Sequence, residues 1–120
     1  MIVNDRELSR LVEAGLAAAH RGEVARARAL FENLLLYKDF APVHIGLALT
    51  YLVAGDFGQA ETILKNDVLA ANPADADALA LLGLTLSFAG RVEEGAALFE
   101  RVPKEGAAGK LVATFSSFSA

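Results

Sequence analysis

The sequence predicts an all-α fold, a solenoid of three helix-turn-helix repeats followed by a short C-terminal capping helix. Gly22, Gly55 and Gly90 recur at intervals of 33 and 35 residues, and each separates two segments with apolar residues at helical spacing. Alanine is abundant and β-branched runs are few, which favours closely packed helices. A single 120-residue domain is expected, divided at about residues 4–38, 39–73, 74–105 and, for the last helix, 107–118.

Helix-start signals support these boundaries. Asn4, with Glu7 three residues later, has the form of a capping box. Pro42 suits the first turn of a helix, where its missing N–H leaves no hydrogen bond unmade. Asp56, together with a glutamine three residues later, is predicted to cap the second helix of the second repeat. Either of two aspartates can begin the third repeat, namely Asp75 or Asp77.

Each repeat then carries apolar residues along one helix face. In the second repeat the first helix, from Val43 to Val53, is apolar nearly all round, with only His44 and Thr50 as polar side chains. A helix that is apolar on every face has to be covered on every face. Two layers of helices cover only part of it, so we expect either a partner or the C-terminal segment, with Phe115 and Phe118, to cover the remainder.

Composition narrows the functional classes. Eleven basic and fifteen acidic residues give a net charge of −4, and they are interspersed, so the basic stripe of a nucleic-acid-binding protein is missing. The chain has no cysteine, which excludes disulfides and thiolate metal sites. We expect no membrane span, because no apolar run approaches ~18 residues, and no signal peptide. The expectation is a soluble cytoplasmic protein that needs no cofactor.

No residue constellation indicates catalysis, so the protein is not expected to be an enzyme. His20 and His44 lack the further ligands that a metal site needs, and each is read as a capping or packing histidine. The acidic pair Glu93–Glu94 lies at a helix start, where negative charge is favourable in any case. Arginines near the N-terminus are read as a solvated face or as a rim contact for an acidic partner.

Laid over one another, the three repeats resemble the tetratricopeptide repeat. That pattern has a small residue at the helix crossing, a turn residue seven positions later, a small residue five further on and a large apolar residue four beyond that. All three repeats match it, with Gly15, Gly22, Ala27 and Phe31 in the first, Ala48, Gly55, Ala60 and Leu64 in the second, and Gly83, Gly90, Gly95 and Phe99 in the third. The resemblance implies a right-handed superhelix. The usual closing proline is present only as Pro73, displaced by one position.

In that family the first helix of each repeat lines a concave groove. Carried over to this chain, the resemblance implies an aliphatic groove in place of the lysines and asparagines that grip a C-terminal carboxylate in many co-chaperones. An aliphatic groove suits the apolar face of an amphipathic helix. The predicted partner-binding residues are Val12, Leu16, Ile45, Leu49, Leu52, Val53, Leu84 and Phe88.

Small size, acidic charge and an apolar groove make the chain similar to the small tetratricopeptide chaperones of type III secretion needle subunits. That resemblance implies a bacterial cytoplasmic chaperone, connected with virulence, that binds the amphipathic C-terminal helix of a needle subunit and stops premature polymerisation. It also implies a possible small helical co-chaperone beside the N-terminal repeat. The alternative is a self-associating scaffold or adaptor with no secretion client, in which the groove takes the C-terminal segment of a neighbouring copy.

Overall fold

The computed structural model describes residues 4–119, with side chains through Ser117, and confirms the all-α solenoid. Helices alone form the regular structure over this range. They pair as three helix-turn-helix units followed by one further helix. In chain order the helices are α1 (Asp5–His20), α2 (Val24–Leu35), α3 (Ala41–Val53), α4 (Phe57–Ile63) with a π-helical continuation (Leu64–Leu69), α5 (Ala76–Phe88), α6 (Val92–Phe99) and α7 (Gly106–Ser119).

Three of the predicted caps are confirmed. The side-chain oxygens of Asn4, Asp56 and Asp75 each accept a hydrogen bond from the backbone N–H three residues later, at 2.8, 3.2 and 3.0 Å. Each bond satisfies one of the free N–H groups at the start of a helix. Of the two aspartates that can begin the third repeat, the structure selects Asp75, and Asp77 lies in the first turn of α5.

The three predicted turn glycines have left-handed backbones, with φ of +84° at Gly22, +82° at Gly55 and +88° at Gly90. Glycine adopts this conformation without steric cost, and it reverses the chain at the end of a helix. A fourth glycine, Gly106, has the same geometry at φ +88° and lies at the start of α7. The 33- and 35-residue spacing did not indicate it, because no helical pair follows.

The first interface between repeats is organised by one aromatic side chain. Phe31 of α2 is fully buried. Its ring lies against the backbones of Gly15 in α1 and Gly46 in α3, and a methyl group at either glycine would overlap the ring. Phe31 therefore holds together its own repeat and the first helix of the next, at the packing density typical of protein interiors.

The second helix of the second repeat departs from the predicted regular helix. After Ile63 the chain widens into a π-helical segment, in which the N–H of Ala70 donates to the carbonyl of Lys65, five residues earlier, at 3.0 Å. Leu64 and Val68, at the two ends of one such turn, are both buried. A pattern of apolar residues at positions i and i+4 is shared by α- and π-helices, which is why the sequence did not distinguish them.

The helix that is buried all round is α5. All nine residues from Ala78 to Leu86 are buried, whereas α3, the helix predicted to need the most cover, keeps a half-exposed face. Helix α7 packs against α5, whereas part of α3 lines an open groove. The hydroxyl of Thr85, buried within α5, donates to the carbonyl of Leu81 at 2.8 Å, so its polar group is satisfied.

Candidate partner-binding groove

A groove of about 490 Å³ opens on the face formed by the first helices of the repeats. Helices α1 and α3 form one side of it, the start of α5 its floor, and the start of α7 its far wall. The lining is mainly aliphatic. It consists of Val12, Leu16, His20, Pro42, Ile45, Gly46, Leu49, Asp75, Asp77, Ala80, Leu81, Ala107, Ala108 and Leu111.

Half of the predicted partner-binding residues lie in this groove. Val12 and Leu16 reach it from α1, and Ile45 and Leu49 reach it from α3. The aliphatic part is continuous because residues four apart lie on one face of each helix. These four side chains make the first two repeats the apolar half of the groove.

The structure does not bring the other four predicted residues into the groove. Leu52 is half-buried and packs against the central core. Val53 and Phe88 are 53% and 57% exposed at the ends of their helices, outside the groove lining. Leu84 is buried within the chain's own core, because α7 covers this part of α5. In this conformation Leu84 therefore has no free surface for a partner.

The C-terminal segment, one of the two predicted covers, packs over α5 as helix α7 and forms a wall of the groove that the sequence analysis did not assign to particular residues. The side chain of Phe118 lies outside the described residues. Ala107, Ala108 and Leu111 line the groove, and Leu111 keeps 45% of its surface exposed. The available signal was a glycine inside the predicted helix. At Gly109 a methyl group would overlap the backbone carbonyls that precede α7, so only glycine lets the helix turn so tightly onto its linker.

Charge is confined to the rim of the groove. Asp75 is engaged as the cap of α5, and Asp77, two residues later, is exposed. His20 is exposed at the end of α1. The other residues of the lining carry no charged side chain. The groove is therefore suited to an apolar helix face and not to a charged peptide terminus.

A second depression, of about 510 Å³, lies near His44 and the π-helical segment. The Nε2 of His44 is 2.6 Å from Oδ1 of Asp39, and its buried Nδ1 is 3.9 Å from Oδ2 of Asp67. His44 thus joins the linker before α3 to the π-helical segment, which agrees with its reading as a packing histidine. Over the described part of the chain, no three histidine or acidic side chains converge as a metal ion requires.

A charge network ties the second repeat to the third. Arg91 contacts Glu61 of α4 at 2.8 Å and Glu94 of α6 at 2.6 Å. Hydrogen bonding from Arg91 lowers the pKa of both carboxyl groups, and for Glu61 a bond from Lys65 adds to the effect. The same bonds raise the pKa of Arg91. Because these side chains lie at the surface, the network orients helices more than it stabilises them.

Comparison with known families gives two matches, both to models described as tetratricopeptide repeat. One covers residues 54–115, from the end of α3 into α7. The other matches twice, at residues 10–33 and 41–65. No curated protein matches the chain. Among the described helices, none combines the length and the apolar character needed to cross a membrane.

Proposed function

The chain belongs to the tetratricopeptide-repeat family, and on that premise we propose that it is a chaperone for an amphipathic helix of a type III secretion needle subunit. Members of this family are generally protein-interaction modules without catalytic activity. The observation that carries the proposal is the aliphatic groove between α1, α3 and α7, whose charged groups are confined to its rim.

The groove supplies what an amphipathic helix needs. Leu16 and Ile45 are half-exposed, so each has apolar surface that a bound helix would remove from water. Burial of apolar surface contributes about 25 cal/mol per Å² before the costs of association. Asp77 and His20 stand at the rim, where the polar edge of the bound helix would stay solvated.

Capture and inhibition would be a single event. The apolar face that a needle subunit uses to polymerise is the face that an aliphatic groove binds, so a bound subunit has no free face for the next copy. A small helical co-chaperone would pack beside the N-terminal repeat, and the bacterial cytoplasm, where premature polymerisation has to be prevented, would be the compartment.

A leucine-to-glutamate pair tests the groove directly. Leu49 lines the groove, whereas Leu36 is 82% exposed in the linker after α2 and outside it. Each variant is co-expressed with the needle subunit encoded in the same genome, and the complex is measured by size exclusion with light scattering. Leu49→Glu is expected to abolish the complex while the helical circular dichroism is retained, because a carboxylate on the aliphatic side of the groove is left without a partner.

Leu36→Glu is the matched control and should leave a 1:1 complex intact. Retention of the needle subunit by Leu49→Glu would refute the groove as its binding site. If neither the wild-type chain nor Leu36→Glu binds the subunit, and the chain elutes alone as a defined oligomer, the self-associating scaffold is the correct function instead.

A further inference from the structure

Helix α7 does not sit where the equivalent helices of the repeats sit. Helix α3 packs closely against α2, and α5 packs against α4 and its π-helical continuation. Helix α7 instead makes its main contacts with α5 and touches α6 mostly through one aromatic pair, Phe99 and Phe115, with ring centroids 5.5 Å apart. The face of α6 that would receive a following helix is thus left largely open.

The open face of α6 borders a notch between α6 and α7. Two cavities of about 300 and 310 Å³ lie between α6 and α7, and Phe99 lines both. The exposed side of the notch includes Val92, which is 61% exposed, and Ala96. The two preceding repeats show what such a face normally holds, because Phe31 and Leu64, at the position of Phe99, are both fully buried.

The attachment of α7 is suited to movement. The helix begins at Gly106, in the left-handed backbone region, after a linker without regular structure. Its side chains that pack on the hydrophobic clusters of the chain are Ala108, Val112 and Phe115, one per turn. Beneath these side chains lie Ala80 and Leu84, which are 1% and 9% exposed and occupy the same positions in α5 as Ile45 and Leu49 in α3.

We propose that α7 can pack in two positions, here called seats: the observed one over α5 and a second one in the notch against α6. When α7 moves to the second seat, the groove is extended along the third repeat. This inference rests on the proposed function. The family match through residue 115 supports the second seat, because it includes α7 in the repeat pattern. The partner's helix then takes the place of α7 over α5, and the groove runs unbroken from α1 to α5.

The side chains of α7 describe the helix that replaces it. Ala108, Val112 and Phe115 are spaced at i, i+4 and i+7, and they present a small, an aliphatic and an aromatic group to α5. A partner helix with that order of residues on its apolar face fits the uncovered surface. A large residue at the first position would have to fit the buried cluster in which Ala80 and Ala108 both lie.

Two disulfide locks test the proposal, since the chain has no cysteine of its own. Ala80→Cys with Ala108→Cys joins two residues of one buried cluster and fixes α7 over α5. Glu100→Cys with Ala113→Cys joins two exposed residues on opposite sides of one notch cavity and fixes α7 against α6. The probe is the dye 1-anilinonaphthalene-8-sulfonate, whose fluorescence reports exposed apolar surface.

We expect both pairs to oxidise, and dye fluorescence several-fold higher for the oxidised Glu100→Cys/Ala113→Cys protein. Failure of that pair to oxidise where Ala80→Cys/Ala108→Cys does, or equal fluorescence of the two locked proteins, would overturn the proposal. Hydrogen exchange of the unsubstituted chain gives a check free of mutations. Backbone amides of α7 should exchange together at least ~100-fold faster than those of α5, and equal protection would count against a second seat.

Binding of the needle subunit then separates the two hypotheses. Locking α7 over α5 should weaken binding at least ~10-fold relative to locking it against α6, and reduction should remove the difference. Equal binding by both locked proteins would overturn the second seat and leave the chaperone function standing. Loss of binding in every form would refute the chaperone function, while the disulfide and dye measurements would still decide the position of α7.

Discussion

Two phenylalanines at the same position of their repeats, Phe31 and Phe99, divide the molecule into a sealed half and an open half. Phe31 is fully buried between Gly15 and Gly46, one glycine in each flanking helix. Phe99 lies against Gly83 on one side, and on the other it meets the ring of Phe115, 5.5 Å away between centroids, with two cavities beside it. The difference shows that the repeat pattern predicts where a large apolar side chain lies. How fully that side chain is buried depends on whether helices pack against it from both sides.

The two halves also divide the groove. Its aliphatic side is formed by α1 and α3, where Leu16 and Leu49 each pack against a buried cluster. Its far wall is α7, which rests on the open half. A binding surface with one fixed and one adjustable wall can select a ligand by shape on the first and accommodate its length on the second.

The largest effect on stability is expected when Phe31 and Phe99 are each replaced by alanine. Phe31→Ala is expected to lower the free energy of unfolding by ~3–5 kcal/mol, because the ring fills a closed slot and leaves a cavity behind. Phe99→Ala should cost about half of that or less, since its site is already partly open. Urea unfolding followed by circular dichroism measures both. Equal losses would mean that the two halves are packed equally well.

A methyl group added at Gly46 should have the next largest effect. Gly46→Ala forces the ring of Phe31 to move and is expected to cost ~1–3 kcal/mol. Gly58→Ala is the control, since that glycine lies in α4 with no atom near the added methyl, and it should stabilise by about 0.5–1 kcal/mol. If Gly46→Ala stabilised the protein by a similar amount, helix propensity, and not the ring of Phe31, would govern both sites.

Gly109→Ala tests how firmly α7 is held in the open half. The added methyl overlaps the carbonyls of Pro103 and Lys104, so the first turn of α7 has to shift. We expect faster amide exchange confined to α7 and a loss of about 1 kcal/mol or less, because few contacts hold this helix. Lys110→Ala, at the exposed neighbouring position, should leave exchange in α7 unchanged. Exchange that increases equally in α3 would show that the two halves unfold as one.

The fold was largely predictable from sequence because the signals were local. Asn4, Asp56 and Asp75 mark helix starts because their side chains accept a hydrogen bond from a backbone N–H of the first turn. Gly22 marks a turn because its backbone adopts the left-handed conformation. Only the part of the groove that is formed by the first two repeats was predictable. The burial of Leu84 and the walls formed by α7 depend on where a helix without a repeat partner comes to rest, and no residue near Leu84 encodes that position.

The π-helical segment illustrates the same limit within one helix. Leu64 and Val68 are four apart in sequence, a spacing that an α-helix and a π-helix both bury. Period alone therefore predicts that a helix exists but not how tightly it is wound.

The smallest expected effect lies between the halves, in the network of Arg91 with Glu61 and Glu94. Both carboxyl groups have a pKa lowered from the ordinary 4.5, chiefly by hydrogen bonds from Arg91. A lowered pKa in the folded state stabilises the fold above the unfolded value, and that contribution is lost as the pH falls through the folded value. The network thus contributes at neutral pH and disappears in acid.

Arg91→Met should therefore lower the urea midpoint slightly at pH 7, and the difference from the unsubstituted chain should close as the pH falls well below 4.5. Arg10→Met, at an exposed arginine of α1, is the control and should show no such pH-dependent difference. A difference for Arg91→Met that persisted in acid would mean that its methylene chain packs between the second and third repeats. The junction of the two halves would then be held by apolar contact instead of charge, and salt would not loosen it.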